Sequence, residues 1–535
     1  MTKDRYDLIV AGGGSAGCIV AALAAKAGRH VLLLEAGPDT ERHPATLRDS
    51  GYKEAFTDDA LLWHRFTTRD PRWGRRALFA GTGRGLGGSG SVNAMVYTRG
   101  AREDFDEWPE GWNWSDCERA FEAVEQTLKP APRKPTEWCE AAIGAAESVG
   151  FRRSADLNDG DLSNVLGYEA MNARSGERRS SYVAFLRPLR ERVTIKTGAT
   201  ADRVLFEGTR AIGVAYIQGG EPKRAYGDEV VLTAGALATP AILQRSGVGA
   251  AGHLQSLGIP VNVALPGVGQ NLHDHPNVQL FFRGKAEVDC AYPQLYGFAR
   301  ARHDSSLPAG QSDSCYVFYP ARSSLREGMM RIVPTMLPPA AYRNAMLRRW
   351  MMGAIGRSFY AGPMQRFVER LWGIVVILGK PESRGSLRIL SDDARQLPRI
   401  DPGYLRHDAD VDTLVAGIEL ARAAARAEAM EPYQGGELFP GPLGRNRDAI
   451  ERFIRTNFMT TYHYAGTCRM GTDAQAVVDP ETLRVHGTDG LRVADASVMP
   501  VTPVSALNAP SMMIGHRAAT MMGLVSTPSA TPVNA

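Results

Sequence analysis

The sequence predicts an α/β fold with a Rossmann-like dinucleotide-binding core, and three observations carry that prediction. The chain opens with a short apolar run, Leu8 to Val10, that enters the turn Gly12-Gly13-Gly14-Ser15-Ala16-Gly17. An Ala-rich segment follows and stops at Gly28, and a second apolar run, Val31 to Leu34, ends in Glu35. Much later, Glu229-Val230-Val231-Leu232-Thr233 repeats the theme, running into Ala234-Gly235-Ala236 and a helix with Pro240 in its first turn.

Each part of the first stretch has a physical reason. Gly12 makes the tight turn, Gly14 lets the backbone approach a pyrophosphate, and Gly17 lets helix and strand pack closely. The free N–H groups and positive end of the helix then face the phosphates. Gly28 is a good helix C-terminus. Glu35, about twenty residues past the turn, is placed to take ribose hydroxyls. A lone G-x-G-x-x-G is a weak signal. Here the strand before it, the helix after it and the acid closing the next strand agree, although the fingerprint alone does not choose between FAD and NAD.

Residues 38–71 read as loop. Gly81 to Ser91 is a dense glycine run that composition alone would make a linker. It feeds directly into the apolar Val92-Asn93-Ala94-Met95-Val96-Tyr97, and a loop pressed on a flat cofactor needs residues without side chains. Residues 101–128 carry Trp108, Trp112, Trp114 and an acidic helix. Val193 to Ile195, Ala201 to Phe206 and Ala211 to Ile217 alternate as strands. From Phe281 to Tyr360 the pattern loosens into Pro-, Arg- and Met-rich stretches without readable elements. Leu371 begins another strand, and Asp408 to Ala427 is an amphipathic helix. The last eighty residues are compact and rich in motifs up to a short tail after Val525.

A chain of 535 residues is too long for one ordinary core. Its net charge of +4 is too mild to imply a nucleic-acid partner. The six cysteines are scattered, with no C-x-x-C pair, so neither a metal site nor a disulfide framework is expected and a reducing compartment fits. The first strand begins within ten residues of Met1, ahead of any room for a signal peptide. The longest apolar run, Leu371 to Gly379, is about half of membrane-spanning length. The expected location is cytoplasmic.

The motifs resemble the glucose–methanol–choline (GMC) oxidoreductases, a family of FAD flavoproteins. Gly83-Arg84-Gly85-Leu86-Gly87-Gly88-Ser89-Gly90-Ser91-Val92-Asn93 matches its first signature, and Gly235 to Gly249 its second. Val268 to His275, Ser383-Arg384-Gly385 and Leu491 to Pro500 look like further blocks, so the resemblance covers nearly the whole chain outside about 285–370. The nearest look is to bacterial alcohol dehydrogenases and aryl-alcohol-type oxidases.

The resemblance implies a discontinuous FAD domain at 1–155, 190–285 and 460–535. A substrate domain of antiparallel sheet and helices takes 156–189 and 286–459. It assigns Gly12, Gly14, Ser15, Ala16, Gly17, Glu35 and Ala201 to the adenosine and pyrophosphate half. Gly88, Asn93, Ala94, Met95 and Val96 go to the loop on the isoalloxazine, and Asp495 and Ala496 to a turn near the ribityl chain. Some relatives attach the flavin through a His just before the Asn. Val92 has no nucleophile there, so non-covalent FAD is expected.

Thr461-Tyr462-His463-Tyr464-Ala465-Gly466-Thr467 resembles the family's catalytic-histidine segment. Oxidising an alcohol means removing the hydroxyl proton while the α-carbon's hydride passes to the flavin, and a His with pKa near 6.5 suits that. His463 is therefore the expected base, with Asn508 as its partner holding the substrate oxygen. Ala506 and Leu507 depart from the usual polar or small residues, and Tyr464 from a common Pro. His273 and His275, flanking Asp274, read as structural, and His516 as a packing or surface residue.

The expected reaction is oxidation of a primary alcohol, aromatic or aliphatic, to the aldehyde, with oxygen or a quinone-type carrier as acceptor. Hydroxynitrile-lyase-type cleavage on the same fold is the alternative. In Ala341 to Trp372, Tyr342, Met346, Leu347, Trp350, Met351, Ala354 and Ile355 share one helical face ringed by Arg residues. That is either an ordinary surface helix or an element lying in a membrane surface, peripheral on the inner membrane face.

Overall fold

The computed structural model describes residues 5–74 and 76–525, so the tail after Val525 lies outside the described residues. The first large sheet takes β1 (Arg5–Ala11), β2 (Val31–Leu34), β3 (Thr194–Lys196), β4 (Ala199–Glu207), β5 (Arg210–Gln218) and β6 (Glu221–Leu232). Helix α1 (Ser15–Lys26) joins β1 to β2, and α2 (Thr239–Arg245) follows β6. The spatial order is β4-β5-β6-β1-β2-β3, with Leu491–Val493 added beside β6.

β6 is long enough to serve two ladders. Its first half pairs antiparallel with β5 and its second half parallel with β1 and with Leu491–Val493. The sequence shows only the second half as a strand, because Glu221, Lys223 and Arg224 lie exposed on the first. In register, Ala11 lies beside Leu34 on one side and Leu232 on the other, and Leu232 lies beside Val493. The parallel strands thus end along one edge of the sheet and lead into Gly12, Glu35, Thr233 and Asp495. That edge is where open parallel sheets bind ligands.

The second large sheet is built on β7 (Pro276–Arg283), β8 (Leu295–Ala299), β9 (Ser314–Pro320) and β10 (Leu371–Leu378). Its order is Glu437–Phe439, β7, β10, β9, β8, Val165–Tyr168 and Arg152–Ser154. Helices α3 (Leu325–Ile332), α4 (Pro339–Arg343), α5 (Ala345–Ser358) and α6 (Gly362–Glu369) lie between β9 and β10, and α7 (Asp408–Ala425) follows. Side chains alternate across this sheet. Val278, Leu280, Phe282, Tyr316, Phe318, Ile374 and Val376 enter a core shared with α7. Their neighbours Asn277, Gln279, Phe281, Cys315, Val317, Tyr319, Val375 and Ile377 face a cavity.

Three expectations change. The stretch from Phe281 to Tyr360 holds β8 and β9, which are buried along their whole length and so show no polar–apolar alternation. β7, Arg152–Ser154 and the helix Glu137–Glu147 belong to the second sheet and its core, on the other side of the expected boundaries at 285 and 155. Both cores are apolar, so hydrophobic pattern does not mark which sheet a strand joins. The helical face expected from Tyr342 onward is split between α4 and α5. Asn344 caps α5, its side chain accepting from the Met346 and Leu347 N–H groups. Among the described residues, no helix is long and apolar enough to cross a membrane.

Candidate active site

A cavity of about 960 Å³ lies along the C-terminal edge of the first sheet and reaches the inner face of the second. That is at the upper end of ordinary ligand cavities, enough for an extended ligand. The first sheet and its loops contribute Gly12, Gly14, Ser15, Ala16, Glu35, Ala201, Asp495 and Ala496. Gly88, Asn93, Ala94 and Val96 come from the glycine-rich loop, and His463 and Asn508 from the C-terminal part.

The first turn is glycine for steric reasons. Gly12 has φ +121°, and a Cβ there would lie 2.5 Å from the Thr233 carbonyl oxygen. A Cβ on Gly17 would lie 1.9 Å from the Gly12 carbonyl oxygen, so Gly17 packs α1 onto the turn and does not line the cavity. Gly14 caps α1 with extended backbone and no side-chain bond, so the first N–H groups of the helix stay available at the cavity wall.

Two carboxylates brace these loops. Glu35 accepts from the N–H of Gly13 (2.9 Å), Gly37 (2.7 Å) and Gly85 (3.0 Å), tying the first glycine turn to the second glycine run. Burial pushes its pKa up, against those three N–H groups and the Arg84 charge. Its Oε2 takes only one of these bonds and keeps acceptor capacity. Asp495 accepts from the Gly235 N–H (2.8 Å), the Thr239 hydroxyl (2.6 Å) and the Ser497 N–H (2.8 Å), joining the loop after β6 to the C-terminal block.

The loop carrying Asn93 is held from behind by a residue that sequence reasoning missed. Arg178 is fully buried, and it donates to the Gly90 carbonyl (3.0 Å), the Asn93 side-chain oxygen (2.9 Å) and the Asn93 carbonyl (2.8 Å). It makes no ion pair among the described residues, and burial lowers its pKa to about 9 against the pull of the Asp49 charge nearby. Met95 corrects an expectation. It has φ +69°, is fully buried among apolar neighbours, and does not line the cavity as Asn93, Ala94 and Val96 do. Arg178→Met leaves three buried acceptors without donors, a cost of about 1–3 kcal/mol each before relaxation. The purified variant should lose bound flavin more readily, with an FAD dissociation constant raised roughly tenfold in ultrafiltration measurements.

Polar atoms without partners show where a ligand with acceptor oxygens fits. Asn508 opens helix α8 (Asn508–Met521), which packs on α1 where Gly515 meets Ala16. Its Oδ1 accepts from the Ser15 hydroxyl (2.7 Å), while its Nδ2 is buried without a partner. Arg65, also missed by sequence reasoning, lines the cavity with Arg245, and its guanidinium lies 4.2 Å from the Trp63 ring. Its Nε is buried and unpartnered, and burial with Arg245 and Arg84 nearby lowers its pKa to about 9. An uncapped helix N-terminus, an amide and an unpaired guanidinium are a donor set suited to a dinucleotide with a pyrophosphate.

His463 is half-buried at the cavity wall, on a backbone held by Asp274. The preceding Tyr462 has φ +63°, a sparsely populated conformation for a non-glycine residue. Asp274 accepts from the His463 N–H (2.6 Å), the Thr460 hydroxyl (2.5 Å) and the Tyr404 hydroxyl, and burial raises its pKa to about 6. The His463 Nδ1 lies 3.0 Å from the His275 Nδ1, and the His275 Nε2 lies 2.9 Å from the Thr502 hydroxyl. His275 is thus the ring beside His463, not a remote structural residue. His273 is structural, with Nδ1 on the Asn271 carbonyl (2.7 Å). No hydrogen bond joins Asn508 to His463 among the described residues; the structure brings Asn508 to Ser15 and Gly90 instead.

The two facing Nδ1 atoms share one proton, because only one of them can donate to the other. With that proton on the His463 Nδ1, the His275 Nδ1 accepts it, the His275 Nε2 donates to the Thr502 hydroxyl, and the His463 Nε2 carries a lone pair. Burial lowers the His463 pKa to about 4, so the ring is neutral at pH 7. No group of His, Cys, Asp or Glu among the described residues is arranged to hold a metal ion.

The model of the GMC oxidoreductase family matches residues 6–277 with its N-terminal part and 381–515 with its C-terminal part. An oxygen-dependent choline dehydrogenase of Pseudomonas syringae pv. syringae is 34% identical over 97% of this chain and 93% of its own. A second, from Chromohalobacter salexigens, is 33% identical over 97% and 95%. Among solved structures, pyridoxine 4-oxidase from Mesorbium loti superposes with a TM-score of 0.80 at 25% identity, covering 97% of this chain and all of its own. A fungal aryl-alcohol oxidase gives 0.73 at 21%, covering 97% and 99%, and shows the shared fold.

Proposed function

The chain is a GMC oxidoreductase, and on that premise we propose that it oxidises a neutral primary alcohol to the aldehyde, with non-covalent FAD and with His463 as the base. The observation that carries the reading is the half-buried His463 ring at the wall of a cavity that also holds the dinucleotide cradle, its Nδ1 3.0 Å from the His275 Nδ1 and its Nε2 without a protein partner among the described residues.

FAD, when bound, supplies the hydride acceptor. This chain's residues do the rest. The α1 N-terminus, Ser15, Arg65 and Asn508 offer donors to its phosphate-bearing half, and Glu35 keeps an acceptor on Oε2. Asn508 therefore serves the cofactor in this proposal, where the sequence suggested a partner for the substrate oxygen. Asn93 and Ala94, braced by Arg178, form the loop against the ring system. The His463 Nε2 takes the hydroxyl proton, and the His463 Nδ1–H donates to His275 throughout. Val504 and Ala506, which also line the cavity on either side of Ser505, are apolar and help keep water from the reacting oxygen.

The walls argue for the substrate class. The second sheet presents Phe281, Tyr296, Val317, Tyr319, Val375 and Ile377, with Asn277 and Gln279 as its amides and no Asp or Glu, and Glu327 of α3, which also lines the cavity, already faces Arg326 (3.8 Å) and Lys53. Burying a quaternary ammonium there costs several kcal/mol, and aromatic faces return about 2 kcal/mol. Choline is the substrate in the relatives' names, yet here it should be turned over far more slowly than benzylic or medium-chain aliphatic alcohols. A steady-state panel of these alcohols checks this, and a preference for choline would overturn the neutral-substrate reading. Val92 lines the cavity where a linking His would have to stand, so acid precipitation should release all the flavin into the supernatant. Yellow colour retained by the pellet would disprove non-covalent binding. Oxygen and a quinone-type carrier are separated as acceptors by whether the reduced protein recolours when air is admitted.

A further inference from the structure

Eight of the twelve large apolar side chains exposed among the described residues fall between Met329 and Phe367. Met336, before α4, is 79% exposed, and at the start of α5 Met346 is 81% and Trp350 65% exposed, while Met351, Ala354 and Ile355 further along are half-buried. Single exposed apolar residues need no explanation, but a concentration of them marks a contact surface. The same segment is strongly basic. From Arg343 to Arg370 there are six arginines and one acid, Glu369. Arg348 is buried on Asp59, and the other five are exposed and make no ion pair among the described residues.

We propose that the face formed by α4, α5 and α6 docks on an anionic lipid bilayer. Trp and Met side chains flanked by Arg suit the headgroup boundary, where apolar groups enter the acyl region and the guanidiniums meet phosphates. Charge decides against a second copy of this chain. A two-fold contact through this face would set five arginines against five. The docked face is also continuous with the cavity. Leu325, Gly328, Met329 and Ile332 of α3 line it, and α5 packs directly on α3, where Gly356 meets Met330. Docking would therefore turn the cavity toward the bilayer, from which apolar alcohols partition.

The test is co-sedimentation of the FAD-loaded protein with phosphatidylcholine vesicles, with and without phosphatidylglycerol at roughly one lipid in three. Binding should require phosphatidylglycerol and be reversed by salt. The pair Met346→Glu and Trp350→Glu, and separately Arg349→Glu and Arg366→Glu, should each lower binding roughly tenfold or more while leaving the flavin spectrum unchanged. Equal binding to both vesicles, no binding, or variants that bind like the unaltered protein would overturn the proposal. So would a concentration-dependent dimer in sedimentation velocity that the Trp350 and Met346 changes abolish.

Discussion

Replacing His463 with alanine should slow flavin reduction by a primary alcohol roughly 100- to 10,000-fold while FAD stays bound. The side chain makes no bond to the dinucleotide cradle, and its backbone is held independently by Asp274. The loss therefore belongs to proton removal, and rapid-reaction traces should show a lower reduction rate at an unchanged flavin content. A loss under about threefold would remove His463 from the mechanism. The pH dependence has a definite sign. The base works only when neutral, and burial places its pKa at about 4. The reduction rate should hold level as pH falls from 8 toward 5 and drop about tenfold per unit below 4. An acid limb near 6.5 would mean an ordinary, solvated histidine.

His275→Leu should cost roughly 10- to 100-fold in the same rate, the usual effect of losing the group that orients a catalytic ring. Leucine cannot accept the His463 Nδ1 proton, so the ring is free to flip or change tautomer and its Nε2 lone pair is no longer fixed. His275→Gln restores an acceptor at that point and should recover part of the rate. Recovery by glutamine but not leucine separates positioning from simple packing, as does a shift of the acid limb. Equal rates for the two variants and the unaltered protein would show that the contact does no positioning.

What the sequence revealed and what it hid follow from the range of the interactions. Gly17 acts on the Gly12 carbonyl within its own turn, and the turn's spacing between two apolar runs was enough to place β1, α1, β2 and Glu35, although Gly12 also fits against Thr233, 221 positions on. His463 stood out through the segment around it. Arg178 and His275 act on partners distant in the chain: the His275–His463 contact spans 188 positions and the Arg178–Asn93 contact 85. Neither contact has a local pattern, and the only sequence hint for His275 was its place in a motif block. Asn508 was visible as a motif residue, but its direction depends on how α8 packs on α1. β8 and β9 were hidden because burial on both faces removes the alternation that marks a strand. The two-sheet architecture was recoverable only through the family resemblance.

The most direct measurement is an anaerobic titration of the FAD-loaded protein with benzyl alcohol or a medium-chain primary alcohol, following the flavin's visible absorbance. The account predicts bleaching with one aldehyde formed per flavin, and no comparable bleaching in His463→Ala over the same interval. A flavin that stays oxidised across the whole alcohol panel, or that stays oxidised while a cyanohydrin is cleaved, would contradict it.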